Sequence, residues 1–158
     1  MSSPVTPPAP PDLQTLVYMS TATRNPTRGE LDHLLEKAQM RNEQHGVTGV
    51  LLYSEGSFIQ CIEGAADALD LVYGFILADP LHQHIFEVLR EPIEERLFGD
   101  WSMAVRATAA SGLGMPRQDD SLARMLADPP PTHAPSLLLL QAFWNRGLGS
   151  RYARAIAN

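Results

Sequence analysis

The sequence predicts an α+β fold: a ferredoxin-like βαββαββ sandwich, a five-stranded mixed sheet with two helices on one face, continued by C-terminal helices. Three observations carry this reading. Apolar runs of strand length alternate with stretches of helical periodicity in that order. Glu55-Gly56 separates two such runs, a hairpin signal. After Ala107 small residues take over, and two further helical stretches follow.

Residues 1–12, MSSPVTPPAPPD, are rich in Pro and Ser and are expected to form a disordered tail; they lack the basic and apolar regions of a signal peptide. LQTLVYMSTA contains a first strand around Thr15–Thr21. Thr27 and Glu30 form a capping box, and Leu31, Leu34, Leu35 and Ala38 mark one face of the helix behind it. That helix is expected to end between Asn42 and His45, with Gly46 as its stop. VTGVLLYS and SFIQCIEG are the hairpin strands. Leu69, Val72, Tyr73, Ile76 and Leu77 trace a second helix, stopped by Asp79-Pro80. HIFEVLREP reads as a fourth strand and WSMAVRA as a fifth, after a turn through Glu94 to Asp100. A helix from Asp119 to Ala127, a break at Pro129-Pro130-Pro131 and a helix from Ser136 complete the chain.

The organisation that follows is a tail (1–12), a globular domain (13–108) and a helical extension (109–158). Ile59 and Cys61 alternate with Phe58 and Ile62, so both faces of the sheet are apolar. The first two helices cover one face only. Leu137, Leu138, Leu140, Phe143 and Trp144 are the apolar reserve expected to cover the other, with a surplus that meets a second subunit in a homo-oligomer.

Bulk properties narrow the function. The 158 residues hold 12 Lys and Arg against 18 Asp and Glu, a net charge of -6, which argues against a nucleic-acid partner. No apolar run reaches membrane-spanning length. Cys61 is the single cysteine, which excludes an internal disulfide and a thiolate zinc site and suits a reducing, cytoplasmic location. It is expected to be a buried structural thiol. No P-loop, G-x-G-x-x-G, H-E-x-x-H or G-x-S-x-G occurs. His82 and His84 have no third ligand at suitable spacing and read as solvated residues at a strand start.

One polar residue is out of place. Gln60 shares a strand face with Phe58 and Ile62, where an unsatisfied amide would cost ~1–3 kcal/mol. It either bonds a loop backbone or bridges a second protein group and a polar ligand. Tyr18 on the first strand and Asn42 at the end of the first helix are polar-tipped side chains on core elements and favour the second reading.

LVYMS, MRNEQHGVTGVLLYSEGSFIQCIEG, the helix ending ADPLH and RLFGDWSMAV together resemble the BLUF family, blue-light sensors that use flavin, from about Leu16 to Arg106. The resemblance implies a flavin between the two helices: FAD, with FMN or riboflavin as other forms. It implies that Tyr18 is the photoactive donor of an electron and a proton, that Gln60 is the hydrogen-bond switch between Tyr18 and the flavin, and that Asn42 bonds the flavin's O4/N3 edge. Trp101 and Met103 match the fifth-strand residues that pass the signal outward; as residues i and i+2 they are expected on one strand face. Ile76 and His82 are further candidate flavin contacts. The chain departs from the pattern at Leu81, where many members are basic, and at Ala38, where many carry serine. Arg41 either supplies the charge missing at Leu81 or is a solvated helix residue.

The expected function is therefore a photoreceptor, not an enzyme, signalling through its C-terminal helices to a protein partner. The alternatives are a flavin-dependent oxidoreductase and a cofactor-free ferredoxin-like interaction module.

Overall fold

The computed structural model describes residues 12–99, 101, 103–107, 121–128 and 134–156. Its elements are β1 (Leu13–Ala22), α1 (Arg28–His45), β2 (Thr48–Ser54), β3 (Ser57–Ala65), α2 (Ala66–Ala78), β4 (His82–Pro92), β5 (Ala104–Ala107), α3 (Ser121–Ala127) and α4 (Pro135–Ile156). The strands form one sheet in the order β4-β1-β3-β2-β5. The first four pair antiparallel in the ferredoxin-like arrangement, and β5 joins β2 in parallel.

Local chemistry fixes the element ends. Thr27 Oγ1 accepts from Glu30 N at 3.1 Å while Glu30 Oε1 accepts from Thr27 N at 3.3 Å, closing the capping box that starts α1. Gly46, at φ 65°, ends the helix in the left-handed conformation. The hairpin turn needs positive φ at both central residues, and Glu55 and Gly56 adopt 45° and 86°. Gly49 is required for a different reason: a Cβ there would lie 2.2 Å from the Cys61 carbonyl oxygen, inside the β2–β3 pairing.

Two cores lie on opposite faces of the sheet. Under α1 and α2, Leu16, Tyr18, Leu51, Phe58, Ile62 and Met103 meet Leu31, Ala38, Leu69, Val72 and Ile76. On the reverse face Val17, Val50, Leu52, Ile59 and Cys61 meet Phe98, Leu126, Leu137 and Leu140. The helices after β5 thus cover the second face. Leu139, Phe143 and Trp144 pack partly against it, and Leu138 is 52% exposed.

Several expectations need correction. Leu77 is 54% exposed and not part of the buried face of α2, because it lies one residue, about 100° of helical turn, beyond buried Ile76. β4 begins at His82, two residues early, because Ala22 pairs with His82 and Thr23 N donates to the Leu81 carbonyl. His82 is accordingly buried, not solvated; His84 is exposed. β5 spans only Ala104–Ala107, so Trp101 and Met103 precede it. The Pro129–Pro131 break and the boundary at residues 108/109 lie outside the described residues, as does the proposed tail apart from Asp12.

Candidate functional site

Antiparallel pairing sets Tyr18 on β1 directly opposite Gln60 on β3. Directly opposed residues point to the same face of a sheet, so the phenol and the amide meet under the helices. The Tyr18 hydroxyl donates to Gln60 Oε1. Gln60 Nε2 donates in turn to Met103 Sδ at 3.4 Å. All three side chains are buried. Desolvation pushes the Tyr18 phenol well above its ordinary pKa, with Arg41 opposing that shift, so Tyr18 is neutral and keeps its proton.

Asn42 is fully buried in the last turn of α1, and its carbonyl accepts from Val47 N at 2.9 Å where the chain turns into β2. Arg41 is half-buried. Its guanidinium lies 5.5 Å above the Phe75 ring and so links α1 to α2, and its buried Nε has no hydrogen-bond partner among the described residues. It is not a solvated helix residue. Ile76 is buried on the same side.

His82 Nδ1 lies 2.8 Å from Ser20 Oγ. Its ring packs 4.7 Å from Phe58 and edge-on to Tyr18 at 6.3 Å. Burial holds its pKa below the ordinary histidine value, and Asp79 opposes that shift.

Trp101 and Met103 do not share a face. Met103 belongs to the core with Tyr18, whereas Trp101 stacks on Phe98 at 6.2 Å in the opposite core. Strand alternation does not apply because both precede β5. The segment is pinned by other contacts: Gly49 N donates to the Trp101 carbonyl at 3.0 Å, and Gln39 Nε2 on α1 donates to the Met103 carbonyl at 3.0 Å.

The sequence reasoning missed Glu63, although it belongs to the quoted SFIQCIEG stretch. Its buried carboxylate accepts from Leu97 N and Phe98 N, both at 2.8 Å. Burial raises its pKa, and these two N–H groups and Arg96 counter the shift. Arg96 reaches the Glu63 and Gly46 carbonyls and Thr48 Oγ1. Glu63 and Arg96 thus fasten the loop that delivers Trp101 and Met103. A charged residue near a strand end, three positions before a helix, was the only available signal.

Two cavities open along α1. One of 490 Å³ lies against the end of α2 and is lined by Met40, Arg41, Gln44, Phe75 and Ala78. The other, of 540 Å³, is lined by Thr23, Arg24, Thr27, Glu30, His33 and Leu81. Leu34, Lys37, Asp79 and Pro80 line both, so the two adjoin. Each is of the size that small-molecule sites occupy. Among the described residues no cluster of three potential ligands could hold a metal ion, and no helix is long and apolar enough to cross a membrane.

The family model described as "BLUF: Sensors of blue-light using FAD" matches residues 13–104. A photoactivated adenylate cyclase subunit beta from Euglena longa is 37% identical over 68% of this chain. A blue light- and temperature-regulated antirepressor from Escherichia coli K12 is 33% identical over 58% of it. The chain spans 13% of the length of that cyclase subunit and 23% of the antirepressor. The dark-state structure of BlrB, a BLUF protein, is 31% identical, with a TM-score of 0.61, and the match covers 75% of this chain and 92% of that one. The polar line buried beneath two helices belongs to a flavin-using light sensor: the chain is a member of the BLUF family.

Proposed function

We propose that this chain is a blue-light photoreceptor in which Tyr18 and Gln60 are the photoactive pair, Asn42 and Arg41 help hold FAD in the cleft, and the signal leaves through Met103 and Trp101. The observation that carries the reading is the buried line from the Tyr18 hydroxyl through Gln60 to Met103 Sδ. The fit to a flavin rests on a cavity between α1 and the end of α2, on Arg41, which lines it and whose buried Nε lacks a partner among the described residues, and on the buried amides of Gln60 and Asn42 beneath the helices. Ile76 and His82 flank the same face as apolar and ring surfaces.

When bound, the flavin supplies blue-light absorption and, in its excited state, an electron acceptor. Tyr18 is the residue suited to answer it. Its phenol is neutral, desolvated and already donates to an amide oxygen, so loss of an electron can be coupled to loss of the proton toward Gln60. Gln60 presents an acceptor on one side of its amide and donors on the other. Rotation turns Nε2 toward the Tyr18 oxygen, which can accept, and Oε1 toward Met103 Sδ, which cannot donate, so the bond to Met103 is broken without moving β3. A buried amide with two orientations that differ in their bonds is a bistable element, which a sensor needs. Met103 feels this exchange through its sulfur, and Trp101, two residues before it, packs on the face that α3 and α4 cover. Those helices are the proposed output surface, for a protein partner and for self-association. The single free thiol accords with a cytoplasmic setting.

The test is spectroscopic. The purified protein should be yellow, and blue light should shift its flavin band slightly and reversibly to the red. Tyr18→Phe and Gln60→Leu should keep flavin and lose that shift. A protein that neither carries nor takes up flavin overturns the reading, and a normal photocycle in either variant removes that residue from its role.

A further inference from the structure

We infer that Glu63 is a positioning residue of the light signal: as an ionised carboxylate it anchors Leu97 and Phe98, and through them holds Trp101 on the face that α3 and α4 cover while Met103 lies against Gln60. This rests on the photoreceptor reading above and deepens it, by naming the fixed point about which the relay through Met103 and Trp101 moves.

One strand grips the relay from both faces of the sheet. Gln60 and Glu63 stand three residues apart on β3, so their side chains point to opposite faces. Beneath α1 and α2, Gln60 Nε2 donates to Met103 Sδ at 3.4 Å. On the reverse face, Glu63 Oε1 accepts from Phe98 N and Oε2 from Leu97 N, both at 2.8 Å. β3 runs between β1 and β2, so both grips start from a fixed frame. Phe98 passes the second grip to Trp101: its carbonyl accepts from Trp101 N at 3.1 Å, and the two rings stack at 6.2 Å. Phe98 itself packs with Leu126, Leu137 and Leu140 of α3 and α4. When Gln60 turns and releases Met103, one grip opens and the other holds. The movement is then a pivot about Phe98, against the core of the C-terminal helices.

The anchor needs the charge, not merely the shape. Its two N–H donors take different oxygens, and only an ionised carboxylate offers an acceptor on both without a donor on either. A protonated acid or an amide turns a donor toward one of the two N–H groups. Burial raises the Glu63 pKa, so that proton arrives above the ordinary carboxylate range as pH falls. A raised pKa also means that the folded chain takes the proton more readily than the unfolded chain, so the anchor loosens without global unfolding. The groups that face Glu63 leave it as the titrating member. Arg96 bonds the Glu63 carbonyl from the loop, and Cys61 on its own strand keeps its proton to about pH 12. β1 and β2 set Thr15 and Thr48 opposite it, and α4 brings Ser136 to Cys61. Glu91 lies on β4 beyond Thr15, and Glu94 and Glu95 are exposed. His82 belongs to the other face.

The experiment uses the full chain with Trp144→Phe, which leaves Trp101 as its single tryptophan. Acrylamide quenching of its fluorescence is followed in the dark and under blue light, from about pH 8 to about pH 4.5. In the dark at neutral pH Trp101 should be shielded, and quenching should rise on acidification with a midpoint above the ordinary carboxylate value. Glu63→Gln should be quenched at every pH as the parent is in acid. Its Leu97 and Phe98 amides should exchange on the order of tenfold faster, the size of one charge-assisted bond. The variant should keep the flavin red shift, since Tyr18 and Gln60 are untouched, yet lose the light-driven change in Trp101 quenching that the parent shows. His82→Gln should leave the acid midpoint in place. A Glu63→Gln variant with the parent's quenching and light response overturns the assignment, and so does an acid midpoint that disappears with His82. If Glu63→Gln does not fold, a flat pH profile in the parent overturns it on its own. Absence of any red shift in the parent overturns instead the photoreceptor reading, and the dark pH profile still decides on Glu63.

Discussion

The two faces of the sheet are built from neighbouring residues of the same strands, yet they differ in kind. The face beneath α1 and α2 holds Tyr18, Gln60, Asn42, Ser20 and His82 among its apolar side chains, and a cleft opens beside it. The face beneath α3 and α4 is mainly apolar; its buried polar groups include Thr15, Ser54, Cys61, Glu63 and Ser136, with Thr15 Oγ1 and Cys61 Sγ 3.3 Å apart and the Glu63 carboxylate tied to Leu97 N and Phe98 N. One residue step along β3, from Gln60 to Cys61, crosses from the first environment to the second. Burial pushes the Cys61 thiol up to about 12, so it stays protonated and inert as a nucleophile. The difference teaches that the first face is arranged to change its hydrogen bonds, and the second to hold helices in place. Trp101 and Met103, divided between them, are where the two meet.

The sharpest way to break this division is to remove the second cover. Truncation after Ala109 takes away α3 and α4 and bares Val17, Val50, Leu52 and Ile59. Each side chain of this class is worth ~1.5–3 kcal/mol when fully buried. The truncated chain should lose most of its soluble yield or change oligomer size in size-exclusion chromatography, while any folded fraction keeps the photocycle. A monodisperse product with the oligomeric state of the full chain would show that the helices are dispensable.

A single cut tests the same face more gently. Leu140 is fully buried against it. Leu140→Ala should cost about 2–5 kcal/mol in a urea melt without shifting the flavin band. Exposed Leu138, two residues and about 200° of helical turn away, should cost under ~0.5 kcal/mol on the same change. Comparable losses at the two positions would mean that α4 is rotated from the orientation described.

How much of this was legible in the sequence follows from the range of the forces involved. The α1 cap, the Gly46 stop and the Glu55-Gly56 turn are local devices, and local spacing revealed them. The cover on the second face was legible because apolar residues at both strand parities demand it. The position of Trp101 was not, because it depends on Glu63 and Arg96 gripping a loop more than thirty residues away in sequence. His82 was misread for a similar reason: its partner, Ser20, lies on another strand. For Tyr18 and Gln60, spacing marked polar residues in a core, but only the strand register put one opposite the other.

His82 offers a smaller, pH-dependent distinction between the faces. Its folded pKa lies below the ordinary value, so its contribution is intact above about pH 6.5. As pH falls below that, the unfolded chain binds a proton that the folded chain refuses, and stability drops until the folded pKa is passed. One such proton contributes at most about 1.4 kcal/mol per pH unit. Thermal melts from pH 7.5 to 5 should therefore fall less steeply in His82→Gln than in the native chain. An unchanged acid limb would remove His82 as the source of that slope.

The smallest effect is expected where the first face is made to resemble the second. Gln60→Leu alone leaves the buried Tyr18 hydroxyl without its acceptor, at a cost of about 1–3 kcal/mol. Tyr18→Phe alone leaves the Gln60 oxygen in the same position. Changing both removes donor and acceptor together and substitutes apolar groups of similar shape, a replacement that can be nearly neutral. The double variant should thus be more stable than Gln60→Leu and close to the native chain in a urea melt, while showing no light-driven red shift. Additive losses would mean that the two groups are not partners in the folded state. A stable, flavin-loaded and photochemically silent double variant would separate what the hydrogen-bonded pair does for signalling from what it does for folding.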